Sequence, residues 1–158
     1  MDLLALYARM SKVPGGKAAF SKMVALKAPY FRTVSPVLEE LSAQQVRARL
    51  RKRWSVTNHI GTVHAIAMCN LAEFTGGLLT EVACPPSARW IPKGMQVEYL
   101  AKANTDLVGT AQFPADVDWS VAQTVAVPVE VCDREGTPVF RASIDMYCSP
   151  KPAASKAA

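Results

Sequence analysis

Residues 58–77, NHIGTVHAIAMCNLAEFTGG, decide the fold of this chain, because a polar, glycine-containing segment leads directly into a long apolar run. The run 65–79 contains no proline and is apolar on almost every side, which predicts a helix of about four turns that the rest of the molecule covers. Glu73 is its only charged residue. Since an unpaired carboxylate is costly to remove from water, Glu73 either reaches a wet edge or lies in a dry site where a reaction needs it.

Alternating patterns on both sides of this helix predict strands. Residues 46–54, VRARLRKRW, place their arginines on one face and apolar residues such as Leu50 and Trp54 on the other, which predicts a strand with a basic, solvated side. Further strands are predicted at 95–101, 107–113, 125–131 and 139–148. Pro128 lacks the N–H that a ladder needs, so its strand is predicted to be bulged there or to lie at a sheet edge.

The order of these elements predicts the architecture. One strand, one long helix and four mostly antiparallel strands favour an α+β fold in which a single curved sheet wraps the central helix. The 158 residues suit one domain, which we divide into an N-terminal helical brace (1–34), the sheet with its helix (35–149) and a disordered tail (150–158). Within the brace, VPGG at 13–16 and Pro29 interrupt one or two short helices.

Composition narrows the functional classes. The net charge of +5 is small for a nucleic-acid-binding protein, and no aromatic residues alternate with the arginines of 46–54, so we expect no nucleic-acid partner. The four cysteines are widely spaced, and we expect no secretory leader. The apolar segment at the N-terminus is too short to span a membrane. We therefore expect a cytoplasmic protein with free thiols and no membrane association.

Small or polar residues surround Glu73 on its helix face. At about 100° per residue, four neighbours share that face: Cys69, Asn70, Gly76 and Gly77. Such a face either packs closely on another backbone or leaves room for a ligand. His64 precedes Glu73 by nine residues, too far to stack on it along one helix, so a site that uses both is expected to combine two subunits.

The start of the helix offers a second chemical element. The amides of Ala65 and Ile66 point out of the helix N-terminus with a partial positive charge and can stabilise an oxyanion. Together with donors at Asn58 and His64 and with the carboxylate of Glu73, they describe an acyl-transfer site without a serine nucleophile. Two simpler interpretations stay open: His64 caps the helix, and Asn58 ties the loop to its own backbone.

These residues resemble a known signature. Several positions are similar to the helix motif of hotdog-fold thioesterases of the phenylacetyl-CoA and 4-hydroxybenzoyl-CoA type: Asn58, Gly61, His64, Ala65 and the triplet Leu71-Ala72-Glu73. The nine-residue spacing from histidine to carboxylate also matches. The longer segment from residue 35 to 147 resembles an uncharacterised bacterial branch of that superfamily, of the DUF4442 type. Ala65 departs from the motif, which has glycine there, and its Cβ restricts the backbone at the oxyanion position.

The resemblance implies an activity and roles for individual residues. Glu73 is expected to be the general base or the nucleophile in hydrolysis of an acyl-CoA thioester, with the Ala65 amide polarising the carbonyl. His64 and Asn58 are expected to orient the carbonyl or the water. The expected substrate-binding residues are Gly61 and Thr62 in the loop and Lys93, which is a candidate for the phosphates of coenzyme A.

The resemblance also implies a homodimer or a dimer of dimers, with two sites at the subunit interface. No cofactor is expected beyond the coenzyme A of the substrate. A metal site from His59, His64 and Glu73 is disfavoured, because gaps of five and nine residues give no ligand pair on one helix face. Two alternatives remain: a non-catalytic acyl-CoA or fatty-acyl binding protein on the same scaffold, and a dehydratase-like relative with a histidine base.

Overall fold

The computed structural model describes residues 2–114 and 117–152. In that part of the chain, the helices are α1 (Leu3–Met10), α2 (Gly16–Lys27) and α3 (Ala65–Ala83). The strands are β1 (Val37–Leu41), β2 (Gln45–Leu50), β3 (Ala88–Tyr99), β4 (Leu107–Gln112), β5 (Gln123–Cys132) and β6 (Pro138–Pro150). Short 3-10 helices at Pro29–Thr33 and Trp54–Val56 precede β1 and α3 respectively.

The strands form one antiparallel sheet in the order β1-β2-β4-β5-β6-β3. Helix α3 lies across the sheet and contacts β2 to β6. Its side chains Leu71, Phe74 and Leu79 are almost completely buried there. The predicted α+β architecture, a curved hotdog sheet wrapped around one long central helix, is confirmed.

The sequence pattern does not predict β1, because Glu39 and Glu40 interrupt its alternation. In the structure β1 pairs with β2, and Glu39 forms an ion pair with Arg49 Nε at 3.3 Å. Strand β1 is therefore stabilised partly by an ion pair with β2, which the sequence of β1 alone does not show.

Two predicted element boundaries shift. Helix α3 ends at Ala83 instead of residue 79. Strand β3 begins at Ala88 instead of residue 95, and a register shift between Pro92 and Gly94 allows it to pass the proline.

The position of Pro128 corrects the expectation of an edge strand or a local bulge. Strand β5 lies between β4 and β6, and Pro128 is paired with Ser143 of β6 without a register shift at that point. Its pairing with β4 ends one residue away, where Val129 lies opposite Ala111. Pro128 is tolerated just beyond the end of that ladder, because a strand residue there has no β4 partner to bond.

The alternation predicted for 46–54 is correct in β2 and wrong beyond it. Arg47 and Arg49 are exposed, whereas Ala48 and Leu50 are buried. After Leu50 the chain leaves the sheet, and Trp54 begins a 3-10 helix with 91% of its surface exposed.

The N-terminal helices are anchored to β1 by hydrogen bonds. The hydroxyl of Tyr7 donates to the Glu39 carbonyl oxygen at 2.8 Å. The hydroxyl oxygen of Ser21 accepts from the Leu38 N–H at 2.8 Å. Both bonds reach the main chain of the edge strand, so the brace is fixed to the sheet on that side.

A second anchor holds the 3-10 helix Pro29–Thr33. The guanidinium of Arg53 donates to the carbonyl oxygens of Thr33 and Val34, both at 3.1 Å. Phe31 packs edge-on against Phe74 of α3, with ring centroids 5.3 Å apart. The brace thus covers part of α3 as well as β1.

The last strand runs to Pro150. Residues 153–158, which make up most of the predicted disordered tail, lie outside the described residues. Among the helices of 2–114 and 117–152, none has the length and apolar character that a membrane crossing needs.

Candidate active site

Glu73 lies in the middle of α3 and borders a cavity of about 460 Å³. The walls come from the brace, α3, β3 and β6. The lining residues are Leu3, Met23, Val24, Lys27, Ala28, Phe31, Glu73, Phe74, Gly77, Leu78, Glu81, Trp90, Pro92 and Met146. Most of them are apolar, and a cavity of this size with few polar groups is typical of a small-molecule site.

The carboxylate of Glu73 is half-buried. Within residues 2–114 and 117–152, it has neither a hydrogen-bond donor nor a cationic partner. Glu73 therefore lies between the two situations that its sequence context suggests: it is not on an open surface, and it is not sealed in the core. Both oxygens remain available to a molecule in the cavity.

His64 is the N-cap of α3. Its side-chain Nδ1 accepts a hydrogen bond from the Ile66 N–H at 3.1 Å. Its backbone N–H donates to the Val56 carbonyl oxygen at 2.8 Å. The capping interpretation of His64 therefore describes its contacts, while its exposed ring leaves Nε2 accessible. The Ile66 amide, one of the expected oxyanion donors, is already occupied by this cap.

Ala65 supplies the remaining amide of the helix start. Its N–H has no acceptor among the described residues. The backbone of the preceding residue, His64, is extended, with φ −64° and ψ 140°. The Ala65 amide is therefore free to donate to a ligand at the helix N-terminus.

Asn58 is bonded within its own loop. Its Oδ1 accepts from the N–H groups of Ile60 and Thr62 at 3.2 and 3.1 Å, and its Nδ2 donates to the Thr62 hydroxyl at 2.8 Å. Gly61 completes the turn with φ 78°, a conformation that glycine adopts without strain. These contacts match the simpler interpretation, in which the Asn58 side chain bonds to the backbone of its own loop. Thr62 is buried.

The structure does not bring all the expected site residues together in one chain. Asn58, Thr62 and Ala65 border a second groove of about 360 Å³, next to Tyr99, whereas Glu73 borders the larger cavity. Ala65 and Glu73 are eight residues apart on one helix, a distance of about 12 Å along its axis. One thioester group cannot contact both within a single subunit.

Lys93 lies at the bulge of β3, beside the cavity residue Pro92. Its side chain is exposed, and Nζ lies 3.8 Å from the ring centroid of Tyr147. This cation–π contact orients the ammonium group at the surface. The position is compatible with a phosphate contact outside the cavity and not with a contact to an acyl group inside it.

The brace and β3 supply site residues that no sequence pattern indicates. Trp90 donates from Nε1 to Glu81 Oε2 at 2.8 Å and forms one wall of the cavity. Tyr99 lies 3.5 Å from Cys69, measured between the hydroxyl oxygen and Sγ. This hydrogen bond, together with burial, raises the pKa of Tyr99. Only the tertiary structure reveals these pairs, since each joins α3 to a distant segment.

Asn70 is buried beside the brace. Its Nδ2 is 3.5 Å from the Thr33 hydroxyl oxygen, and its Oδ1 has no hydrogen-bond partner among the described residues. A buried carbonyl oxygen of this kind normally accepts from water or from a ligand. Across 2–114 and 117–152, three or more His, Cys, Asp or Glu side chains do not cluster in a way that could hold a metal ion.

The six-stranded antiparallel sheet and the long helix that it covers define a hotdog fold. Residues 16–148 match the model of the family described as Domain of unknown function (DUF4442). The chain therefore belongs to the DUF4442 family.

Solved structures share this fold. A structural-genomics protein, APC5556, is 41% identical, with a TM-score of 0.81 over 94% of this chain and 99% of its own. PA5026 of Pseudomonas aeruginosa, a protein of unknown function described as a probable thioesterase, is 20% identical with a TM-score of 0.75, over 88% of this chain and 97% of its own.

A more distant structure is the thioesterase HI1161 of Haemophilus influenzae, at 9% identity with a TM-score of 0.69, covering 80% of this chain and 86% of its own. The last two similarities are similarities of fold. No curated protein matches the sequence.

Proposed function

We propose that this protein hydrolyses an acyl-CoA or a related acyl thioester, and that Glu73 activates the attacking water. The observation that carries the proposal is the Glu73 carboxylate, which is unpaired within the described residues and faces an apolar cavity from the middle of an apolar helix. Since neither a cation nor a donor holds it, it can accept a proton from water. The fold that the chain shares with proteins described as thioesterases supports the same class of reaction.

The proposed reaction proceeds through a tetrahedral intermediate. Water attacks the thioester carbonyl carbon while Glu73 accepts its proton, and the carbonyl oxygen becomes an oxyanion. The intermediate then collapses, the carbon–sulfur bond breaks, and the thiolate leaves and takes up the proton that Glu73 accepted, which yields a carboxylic acid and a free thiol. In the alternative route Glu73 attacks the carbonyl carbon itself, the carbon–sulfur bond breaks and the thiolate leaves, and water then hydrolyses the resulting anhydride to the carboxylic acid and free Glu73.

We further propose that a second copy of the chain completes the site. The amide of Ala65 is the candidate oxyanion donor, but it lies about 12 Å along α3 from Glu73 of the same subunit. Among the described residues, strand β3 pairs with β6 alone and offers its other edge, along which Ile91 and Tyr99 are exposed. An unpaired edge of this length is suited to pairing with another strand. A homodimer would place Ala65 of one subunit opposite Glu73 of the other.

The catalytic role of Glu73 is tested by release of free thiol from acyl-CoAs of short, long and aromatic acyl groups. Glu73→Gln keeps the shape of the side chain and is expected to reduce kcat by at least about a hundredfold, as is usual for loss of a general base. Glu81→Gln is the matched control, because Glu81 borders the same cavity from the same helix. Equal rates in wild type and Glu73→Gln would exclude the proposed mechanism.

The shared site is tested by mixing two inactive variants. Ala65→Pro removes only the amide proton, since proline is tolerated at the first position of a helix and the extended His64 accommodates it. Mixed with Glu73→Gln and allowed to exchange subunits, it is expected to restore about a quarter of the wild-type rate, because half the dimers are mixed and each holds one intact site. No restoration, with mixed dimers demonstrated by mass spectrometry, would contradict a site built from two subunits.

The separation of Ala65 from Glu73 also supports a second candidate, a non-catalytic acyl-binding protein. If the two residues do not meet in the assembly, the cavity can still hold an acyl chain without an oxyanion donor nearby. Tight binding of acyl-CoA by the wild type with no release of thiol would favour this function.

A further inference from the structure

Helix α2 presents two different surfaces. One packs into the protein through its buried residues, Phe20, Ser21 and Ala25. The other borders the Glu73 cavity through Met23, Val24 and Lys27, with Ala28 at the C-cap, and the spacing of i, i+1 and i+4 places the three helical residues on one face. Protein interiors leave few voids larger than a water molecule. Packing of the brace alone therefore does not explain why this second surface of α2 borders a cavity.

The floor of the cavity is a segment of α3. It begins at Glu73 and ends at Glu81, eight residues later, which corresponds to about 12 Å along the helix. Between them lie Phe74, Gly77 and Leu78, none of which carries a polar side chain. The polar groups of the floor are therefore confined to its two ends.

Gly77 keeps the middle of this floor open. A Cβ at this position would lie 3.5 Å from Cη2 of Trp90, at ordinary contact distance, so a small side chain fits there and a larger one would project into the cavity. At the far end, Trp90 holds the carboxylate of Glu81, which is exposed to solvent. Between Glu73 and the exposed Glu81, the cavity is thus lined mostly by apolar side chains.

We infer that this cavity binds an apolar acyl chain of roughly ten carbons, with its thioester end at Glu73 and its methyl end at Glu81, and that α2 sets the chain length. The inference rests on the proposed function for the identity of the reacting end. The length follows from geometry: with carbon–carbon bonds of about 1.5 Å, a fully extended chain of roughly ten carbons spans the separation of about 12 Å between Glu73 and Glu81 along the helix axis.

The apolar lining predicts a dependence on chain length. Each methylene that moves from water into the cavity is expected to raise affinity roughly fourfold. The gain should continue up to roughly ten carbons and then stop, because additional carbons pass Glu81 and re-enter water. A polar acyl group should lose this gain, since the floor between Glu73 and Glu81 offers it no hydrogen-bond partner.

Two variants close the cavity from opposite sides. Met23→Trp enlarges a residue of the brace that faces the cavity, and Gly77→Leu enlarges the floor. Leu26→Trp is the matched control, because Leu26 lies on the same helix with 66% of its surface exposed and does not border the cavity. The folding of all three is checked by thermal denaturation, so that either cavity variant suffices if the other is unfolded.

The experiment measures kcat/KM for acyl-CoAs from two to sixteen carbons and, independently, the affinity of Glu73→Gln for S-alkyl-CoA thioethers of the same lengths. Both cavity variants are expected to lose on the order of a hundredfold for the ten-carbon chain and little for the two-carbon chain, whereas Leu26→Trp keeps the wild-type profile.

The two readouts separate the inference from the proposed function. Length-dependent thioether binding that the cavity variants abolish supports the acyl subsite even if no acyl-CoA is hydrolysed. Hydrolysis or binding that is independent of chain length, or a length profile that both cavity variants leave unchanged, overturns the subsite and leaves the role of Glu73 unaffected.

Discussion

His64 Nδ1 and the Ile66 N–H form a hydrogen bond of 3.1 Å that caps helix α3. Nδ1 must be unprotonated to accept this bond, so the ring proton of the neutral histidine is on Nε2. The capping contact is immediately beside the free amide of Ala65. A loss of activity after substitution of His64 is therefore ambiguous unless the cap is preserved.

Substitution of His64 by two residues separates these roles. His64→Ala removes the cap and is expected to lower the free energy of unfolding by about 1 kcal/mol, whereas His64→Ser retains a capping oxygen and is expected to have nearly wild-type stability. Urea denaturation measures both. Reduced thiol release by a fully stable His64→Ser protein would assign the imidazole to the substrate, and equal destabilisation by both variants would contradict the capping role.

Neighbouring glycines of α3 are expected to respond in opposite ways to alanine. A Cβ at Gly76 would lie 2.9 Å from Ile144 Cδ1 and 3.4 Å from Val129 Cγ2, whereas a Cβ at Gly77 meets only Trp90 at ordinary distance. Gly77→Ala should raise the free energy of unfolding by up to about 1 kcal/mol through helix propensity. In Gly76→Ala, overpacking costs of about 1–3 kcal/mol exceed that gain.

Thermal denaturation distinguishes the two glycine variants, since 1 kcal/mol corresponds to a Tm shift of about 2–4 °C in a chain of this size. A Tm that rises in both variants would show that Ile144 moves aside without cost.

Arg53 is expected to hold the brace in place. Arg53→Met removes the two hydrogen bonds to the carbonyl oxygens of Thr33 and Val34 and should lower stability by roughly 1–2 kcal/mol. Amide hydrogen exchange should accelerate in the 3-10 helix Pro29–Thr33 more than in the sheet. Arg51→Met is the control, because Arg51 is exposed and has no hydrogen bond among the described residues. Uniform acceleration over the whole chain would argue against a local tether.

Asp106 is expected to make stability depend on pH in the acid range. The Lys52 N–H, bonded to Oδ1 at 2.9 Å, and the nearby Arg134 guanidinium hold the pKa of Asp106 below its usual value of 3.8. Because the folded-state pKa is lower than the unfolded one, the ionised group stabilises the fold above the unfolded pKa. This contribution disappears as the pH falls through the folded pKa.

The measurement is the Tm of wild type and of Asp106→Asn across the acid range. The difference between them should be constant from neutral pH to about pH 5 and should shrink as the pH falls below 3.8. A difference that persists unchanged at the lowest pH would contradict the ionic origin of the effect.

The sequence predicts α3 and the strands that follow it because their signals are local. Apolar character without proline defines the helix, and alternation in segments such as 125–131 defines the strands. Strand β1 lacks such a local signal, since Glu39 and Glu40 interrupt its alternation and the ion pairs of Glu39 with Arg47 and Arg49 of β2 form only in the sheet. The exposure of Trp54 is not predictable from local alternation either, because β2 ends at Leu50, where its pairing with β4 ends.

The candidate site, like the fold, is only partly predictable from the sequence. Glu73 is conspicuous in the sequence because it is the only charge in an apolar run, and it does border the largely apolar cavity described above. The cavity itself has no sequence signal. It exists because Leu3, Phe31, Trp90 and Met146, distant in the chain, leave space between them. The roles expected for Asn58 and His64 stay predictions, although hydrogen bonds within the loop and the cap account for the contacts of both.

Two separate stretches of the polypeptide form opposite walls of the cavity, and the proposed function gives each a different role. Glu73, the proposed general base, belongs to α3, which is enclosed by the sheet, whereas much of the opposite wall belongs to residues 3–31, which lie outside the sheet. Under the proposed function, selectivity and chemistry are therefore encoded in different parts of the gene. A library confined to codons 3–31 can change which compounds are accepted without altering the reactive centre, so the N-terminal segment is the natural target for redesign.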